Sequence, residues 1–166
     1  MSMIRMAAVF MSLALGLASA HAQAPPSAAV ADALQRWGLI GTWSLDCSRP
    51  PGGNHIHIRY VVSPGGKVMT ERDYGDTSRN DSNEITSATI NSDGSLTMVV
   101  DFQSLGGQIR TFALMRDRPD RVRAVWNRGP DGAYSVKDGR FTANGNETPW
   151  QYKCGGKQSA RHHGQG

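Results

Sequence analysis

The chain has 166 residues, with 18 Lys and Arg against 14 Asp and Glu and a formal net charge of +4. That length suits one domain behind a short leader. Nucleic-acid binding would need the small basic excess clustered on one face; a modest attraction to anionic polymers or lipid headgroups is the most it implies.

The first 22 residues read as a cleavable signal peptide: Arg5 supplies a positive start, and Ala7 to Ala18 is apolar apart from Ser12 and Gly16. Small residues then fill the −3 and −1 positions of a cleavage site, as Ala18-Ser19-Ala20 or Ala20-His21-Ala22, as the export machinery requires. Cleavage after Ala22 keeps Pro25 away from the scissile bond. The apolar run falls well short of the roughly 20 residues that span a bilayer. The mature protein is therefore expected to be soluble, without a transmembrane anchor, and periplasmic or secreted.

Residues 23–27 read as a flexible leader, with Ser27 placed to cap a helix over 28–37. Val30, Leu34 and Trp37 share one face of that helix, and Gly38 ends it. Ten residues are marginal alone, so the helix should dock on the domain. Beyond Gly38 the period becomes two. Strands are expected over 39–47, 55–63, 68–74, 84–91, 95–102, 108–116, 121–127, 134–136, 140–142 and 148–154, some of them short enough to merge. Turns such as Pro64-Gly-Gly, Asp93-Gly94 and Asp138-Gly139 separate them, and Asp-Gly is the strongest short hairpin signal. Residues 155–166, with His162 and His163, read as a disordered tail.

About eight or nine short strands with no helices between them exclude a βαβ architecture. An all-β antiparallel up-and-down meander closed into a barrel over residues 28–154, with one short N-terminal helix, is the economical solution. Cys47 and Cys154 are the only cysteines. An even count in an oxidising compartment reads as one disulfide, with free thiols or a metal pair as the alternatives. A bond here would tie the first strand to the last. In an antiparallel barrel of even strand number, however, those two strand ends lie at opposite poles, so a bend or an odd count is implied.

The stretch Leu39-Ile-Gly-Thr-Trp-Ser-Leu-Asp-Cys47, entered from a short helix, resembles the first strand of lipocalins and related calycin barrels through Gly41-x-Trp43. The resemblance implies a Trp packed across the barrel base, a turn of helix closing one end, and a ligand cavity above. The sequence departs from that family in lacking a Thr-Asp-Tyr element and a clear C-terminal helix. Small bacterial barrels that inhibit metalloproteases share the Gly-x-Trp strand and one disulfide, but their disulfide lies early in the chain.

Candidate sites follow from alternation. Trp43, Tyr60, Phe102, Phe112 and Trp126 are the aromatics expected to face the interior and to line a pocket for a small apolar ligand. His55 and His57 form a His-x-His pair that would need further ligands from Glu71, Asp73 or the tail to hold zinc; with Arg59 they read as a solvated strand face. Arg116, Arg118, Arg121, Arg123 and Arg128 gather on one hairpin, where an anion site competes with plain edge protection. Asp76, Asp81 and Glu84 lack the spacing and glycine of an EF-hand. No nucleophile elbow, zinc-protease helix or phosphate loop is present. The expectation is a non-enzymatic binder without metal or cofactor; the alternative is a protein-interaction module, either a protease inhibitor that inserts its flexible leader or an envelope-complex component.

Overall fold

The computed structural model describes residues 26–155. The expected signal peptide, leader residues 23–25 and tail residues 156–166 lie outside them. The Ala-rich segment forms α1, Pro26–Trp37. It begins at Pro26 rather than Ala28, because a proline is at home in a first helical turn, where its missing N–H has no partner to lose. Ser27 consequently lies within the helix instead of capping it. Val30, Ala33, Leu34 and Trp37 form the buried face. The helix closes with the Leu39 amide donating to the Leu34 carbonyl at 2.9 Å.

Ten strands follow: β1 Gly41–Ser44, β2 His57–Val62, β3 Val68–Asp73, β4 Asp81–Ile90, β5 Leu96–Phe102, β6 Gln108–Arg118, β7 Arg121–Arg128, β8 Tyr134–Lys137, β9 Arg140–Phe141 and β10 Gln151–Cys154. Successive strands from β1 to β9 pair antiparallel, and β10 pairs with both β1 and β7. Eight strands, β1 to β7 with β10, thereby close an antiparallel barrel. The β8–β9 hairpin is not part of the closed wall; it continues from the far end of β7, through Asn127↔Val136 and Arg128↔Tyr134.

Strand direction gives the barrel two ends. The turns at 63–67, 91–95 and 119–120 lie at one end, and the connections at 74–80, 103–107 and 129–133 lie at the other. Helix α1 packs against β4 and β3 and closes the first end, where the Trp37 Nε1–H donates to the Gly94 carbonyl at 2.8 Å. Gly94 holds that carbonyl in a tight turn with φ +80°, a conformation glycine adopts without a Cβ penalty. Along β5, Leu96, Met98, Val100 and Phe102 are buried in strict alternation, the period-two mark of a wall with one face in the core. Val68 and Ile85 complete the floor with Leu34 and Trp37.

The junction between helix and barrel explains the Gly-x-Trp element. Thr42 pairs with Cys154 and Trp43 with Lys153, so Lys153 shares the inner face with Trp43. Its Nζ reaches the Gly38 carbonyl at 2.8 Å and lies 5.6 Å from the Trp43 ring centroid. Gly41 has φ +129°, and a Cβ there would come within 2.9 Å of Lys153 Cε. The glycine is needed for its backbone, and a side chain there would also require the end of Lys153 to shift.

Cys47 and Cys154 form the disulfide, with their Cα atoms 5.3 Å apart. The opposite-pole difficulty is removed by a bend. Strand β1 stops at Ser44, well before Cys47, and the chain folds back across β10 so that Cys47 Sγ lies 3.5 Å from the Tyr152 carbonyl. His55 fixes this bend: its Nε2 is 3.0 Å from Ser44 Oγ and 2.9 Å from the Asp46 carbonyl.

Candidate functional site

Helix α1 packs over one end of the barrel, and the interior opens toward the other. A cavity of about 240 Å³ opens there. Tyr60, Thr70, Met98, Val100, Phe112 and Leu114 form much of its wall, with Ile58 beside them. Arg72, Phe102, Arg110 and Asn127 stand where their strands reach the open end, and Leu105 makes a lip from the short turn Gln103–Leu105.

Of the five aromatics expected to face a ligand, Tyr60, Phe102 and Phe112 line this cavity. Phe102 and Phe112 touch, with ring centroids 5.8 Å apart. Trp43 is not in the wall. It is buried in the core beside α1, with its Nε1–H donating to the Leu39 carbonyl at 2.6 Å. Trp126 is a correction, because it points away from the interior. On β6 and β7, Leu114 pairs with Ala124 and Ala113 with Trp126. The extra residue is a β-bulge at Val125, and a bulge reverses the alternation beyond it. Asn127 takes the inward position, opposite Phe112, while Trp126 lies edge-on to Tyr134 at 6.4 Å.

The cavity wall is therefore not purely apolar. Arg72 forms an ion pair with Asp81, both side chains being largely buried, and its guanidinium lies 5.0 Å over the Phe102 ring. Burial alone would raise the Asp81 carboxyl, but the hydrogen bond and charge of Arg72 outweigh it and hold the group below its ordinary value. Burial pushes the Tyr60 hydroxyl up to about 12, so it is a neutral donor at any physiological pH. Arg110 makes no ion pair among the described residues. Its Nε is buried without a partner, as is Asn127 Oδ1, and among the described residues its side chain's only hydrogen bond runs from Nη2 to Gln108 Oε1 at 3.3 Å.

The Arg72–Asp81 pair has a pH signature. A depressed carboxyl stabilises the fold above its unfolded value of about 4, and that contribution disappears as pH falls through the lower folded value. In thermal unfolding, the gap in midpoint between the parent and Asp81→Asn should be widest at neutral pH and narrow below about pH 4. A gap independent of pH would show that the charge on Asp81 is not what matters.

The remaining motifs find local partners. His55 is buried and lies before β2 rather than in it, so period two does not carry across and the pair is not the solvated strand face expected. His57 does lie on the outer face, with Nε2 3.0 Å from the Arg49 carbonyl. Its cross-strand neighbour Asp73 binds the Gly75 amide and Asn80, and Glu71 is paired with Arg59. No group of three or more metal-ligating side chains assembles among the described residues. On the hairpin, Arg116 caps the Trp37 carbonyl and covers its ring. Arg121 and Arg123 stack on Trp150 at 4.3 and 4.8 Å while pairing with Asp117 and Glu147. A wider hollow of about 520 Å³ runs beside the outward residues Arg59 and Glu71 and reaches Arg72 and Asp81 at the strand ends; these charges already pair, Arg59 with Glu71 and Arg72 with Asp81.

Thr70, Arg72, Arg110 and Asn127 are thus polar residues of the cavity that hydropathy overlooks. Counting by two from Val68 reaches Arg72, and counting back from Phe112 reaches Arg110. No count reaches Asn127, because the bulge precedes it. Comparison with protein-family models, with curated proteins and with solved structures found no match for this chain.

Proposed function

We propose that the protein is an exported, lipocalin-like carrier that holds a small apolar ligand inside its barrel. The observation that carries this reading is the cavity walled by Tyr60, Met98, Val100, Phe102, Phe112 and Leu114 and closed at its far end by α1. At about 240 Å³ it falls below the roughly 300–1,000 Å³ common for drug-sized ligands, so its occupant is small or leaves one end outside. The likeness to lipocalins is supported by Gly41-x-Trp43 standing at the step from closing helix to first strand. Export is supported by the N-terminal signal pattern, and the Cys47–Cys154 bond suits an oxidising compartment such as the periplasm.

The alternative, an interaction module that inserts its leader into a protease, draws on residues 23–27. Pro26 and Ser27 belong to α1, which leaves less free chain for insertion, so the carrier reading is favoured. Its test is titration of the purified protein with octanol, followed by calorimetry and tryptophan emission. Saturable binding is expected, and Val100→Phe, which fills the cavity, should weaken it at least about tenfold, the equivalent of about 1.4 kcal/mol. Absence of saturable binding, or full affinity in the filled variant, would refute a ligand in the barrel.

A further inference from the structure

Resting on the carrier reading, we infer that the ligand is amphipathic: an apolar tail enters first, and an anionic head such as a carboxylate stays at the mouth on Arg110 and Asn127. Two cationic side chains reach the cavity wall, and they differ in one respect. Arg72 is already neutralised by Asp81. Arg110 has no carboxylate partner among the described residues and keeps its Nε buried and unbonded. A guanidinium offers donors and no acceptor, and a buried donor left without an acceptor is costly, more so when charged.

Asn127 supplies the second observation. Its Oδ1 is also buried without a partner, and it faces the same cavity. Phe112 pairs with Asn127, which makes Arg110 its diagonal neighbour on the inner face, nearer the mouth. Its amide can present either end to a ligand. With N–H outward, it and the Arg110 fork offer donors from two adjacent strands to one pair of oxygens, the geometry that suits a carboxylate. The β-bulge at Val125 is what places an amide rather than an indole at this point of the wall.

A wholly apolar occupant would exclude water from both groups and match neither. A cation would meet Arg110 directly. Deeper in, the hydroxyls of Tyr60 and Thr70 carry no charge, and Met98, Val100 and Leu114 offer apolar surface, so the charged head belongs outside and the tail inside. The volume keeps that tail short or limits it to a single aromatic ring.

Octanoate and octanol present nearly the same tail with and without the charge. Calorimetric titration of the purified protein at neutral pH should show octanoate binding about tenfold or more tightly than octanol, in line with the strength of charged hydrogen bonds. Arg110→Met should abolish that preference by lowering octanoate affinity far more than octanol affinity, and Arg110→Lys, which keeps the charge on a side chain of similar length, should retain part of it. Equal affinities in the parent would overturn the inference while leaving the carrier reading intact, and this comparison stands even where Arg110→Met folds poorly. Preserved preference in a folded Arg110→Met protein would overturn it equally. Failure of both ligands to bind would remove the carrier reading and this inference together.

Discussion

Replacing both cysteines, as Cys47→Ala with Cys154→Ala, is expected to destabilise the barrel by about 2–5 kcal/mol. For a domain of this size that lowers the thermal midpoint by about 10–20 °C. The bond spans a sequence separation of 107, so it encloses nearly the whole barrel and limits the unfolded chain correspondingly. It also holds the closure itself. Strands β1 and β10 have only four residues each, and β10 meets β7 at just Gln151↔Val122 and Tyr152↔Arg121. Unfolding of the variant beside the parent, with and without reductant, measures the effect. Reduced parent should match the variant. A loss below about 1 kcal/mol would mean that the ladder and the Lys153 anchor suffice to close the barrel.

That dependence was partly legible in the sequence. Alternation from residue 39 onward, punctuated by Pro64-Gly-Gly and Asp93-Gly94, specifies an antiparallel meander, because each turn joins strands that pair locally. The same local logic cannot separate wall strands from an appended hairpin. Strands β8 and β9 have the alternation and Asp-Gly turn of any other hairpin, yet they lie outside the closed ring. The bend that reconciles the two cysteines is equally hidden. It depends on His55 reaching back to Ser44 and the Asp46 carbonyl, a tertiary contact with no periodic signature.

The cavity divides in a similar way. Tyr60, Phe102 and Phe112 are reached by alternation and hydropathy together. Arg72 and Arg110 share their parity, but hydropathy assigns both to solvent, since an inward arginine makes sense only with a partner such as Asp81 or with a ligand. Trp126 and Asn127 exchange places through one inserted residue, and nothing in the local composition marks where that bulge falls. The aromatic that looked like the ligand's neighbour is outside, and the amide that looked like a strand end is within.

Trp43 tests whether the Gly-x-Trp element is a ligand contact or a brace. Its side chain is about 1% exposed, and its N–H binds the Leu39 carbonyl at 2.6 Å, on the segment that leads from α1 into β1. Trp43→Ala removes the indole and leaves a void, which in buried aromatics costs about 3–5 kcal/mol. Trp43→Phe keeps most of the packing but strands the Leu39 carbonyl, so about 1–3 kcal/mol is expected. Denaturant unfolding of the two variants should rank them in that order. Because the indole is not in the cavity wall, Trp43→Phe should hold octanol within about twofold of the parent, a difference of about 0.4 kcal/mol. A tenfold loss of binding with little change in stability would place Trp43 at the ligand, and would mean that the bound ligand reaches toward the helix. The expected pattern, stability lost and affinity kept, assigns the element to holding the helix on the barrel, with recognition left to the residues at the open end.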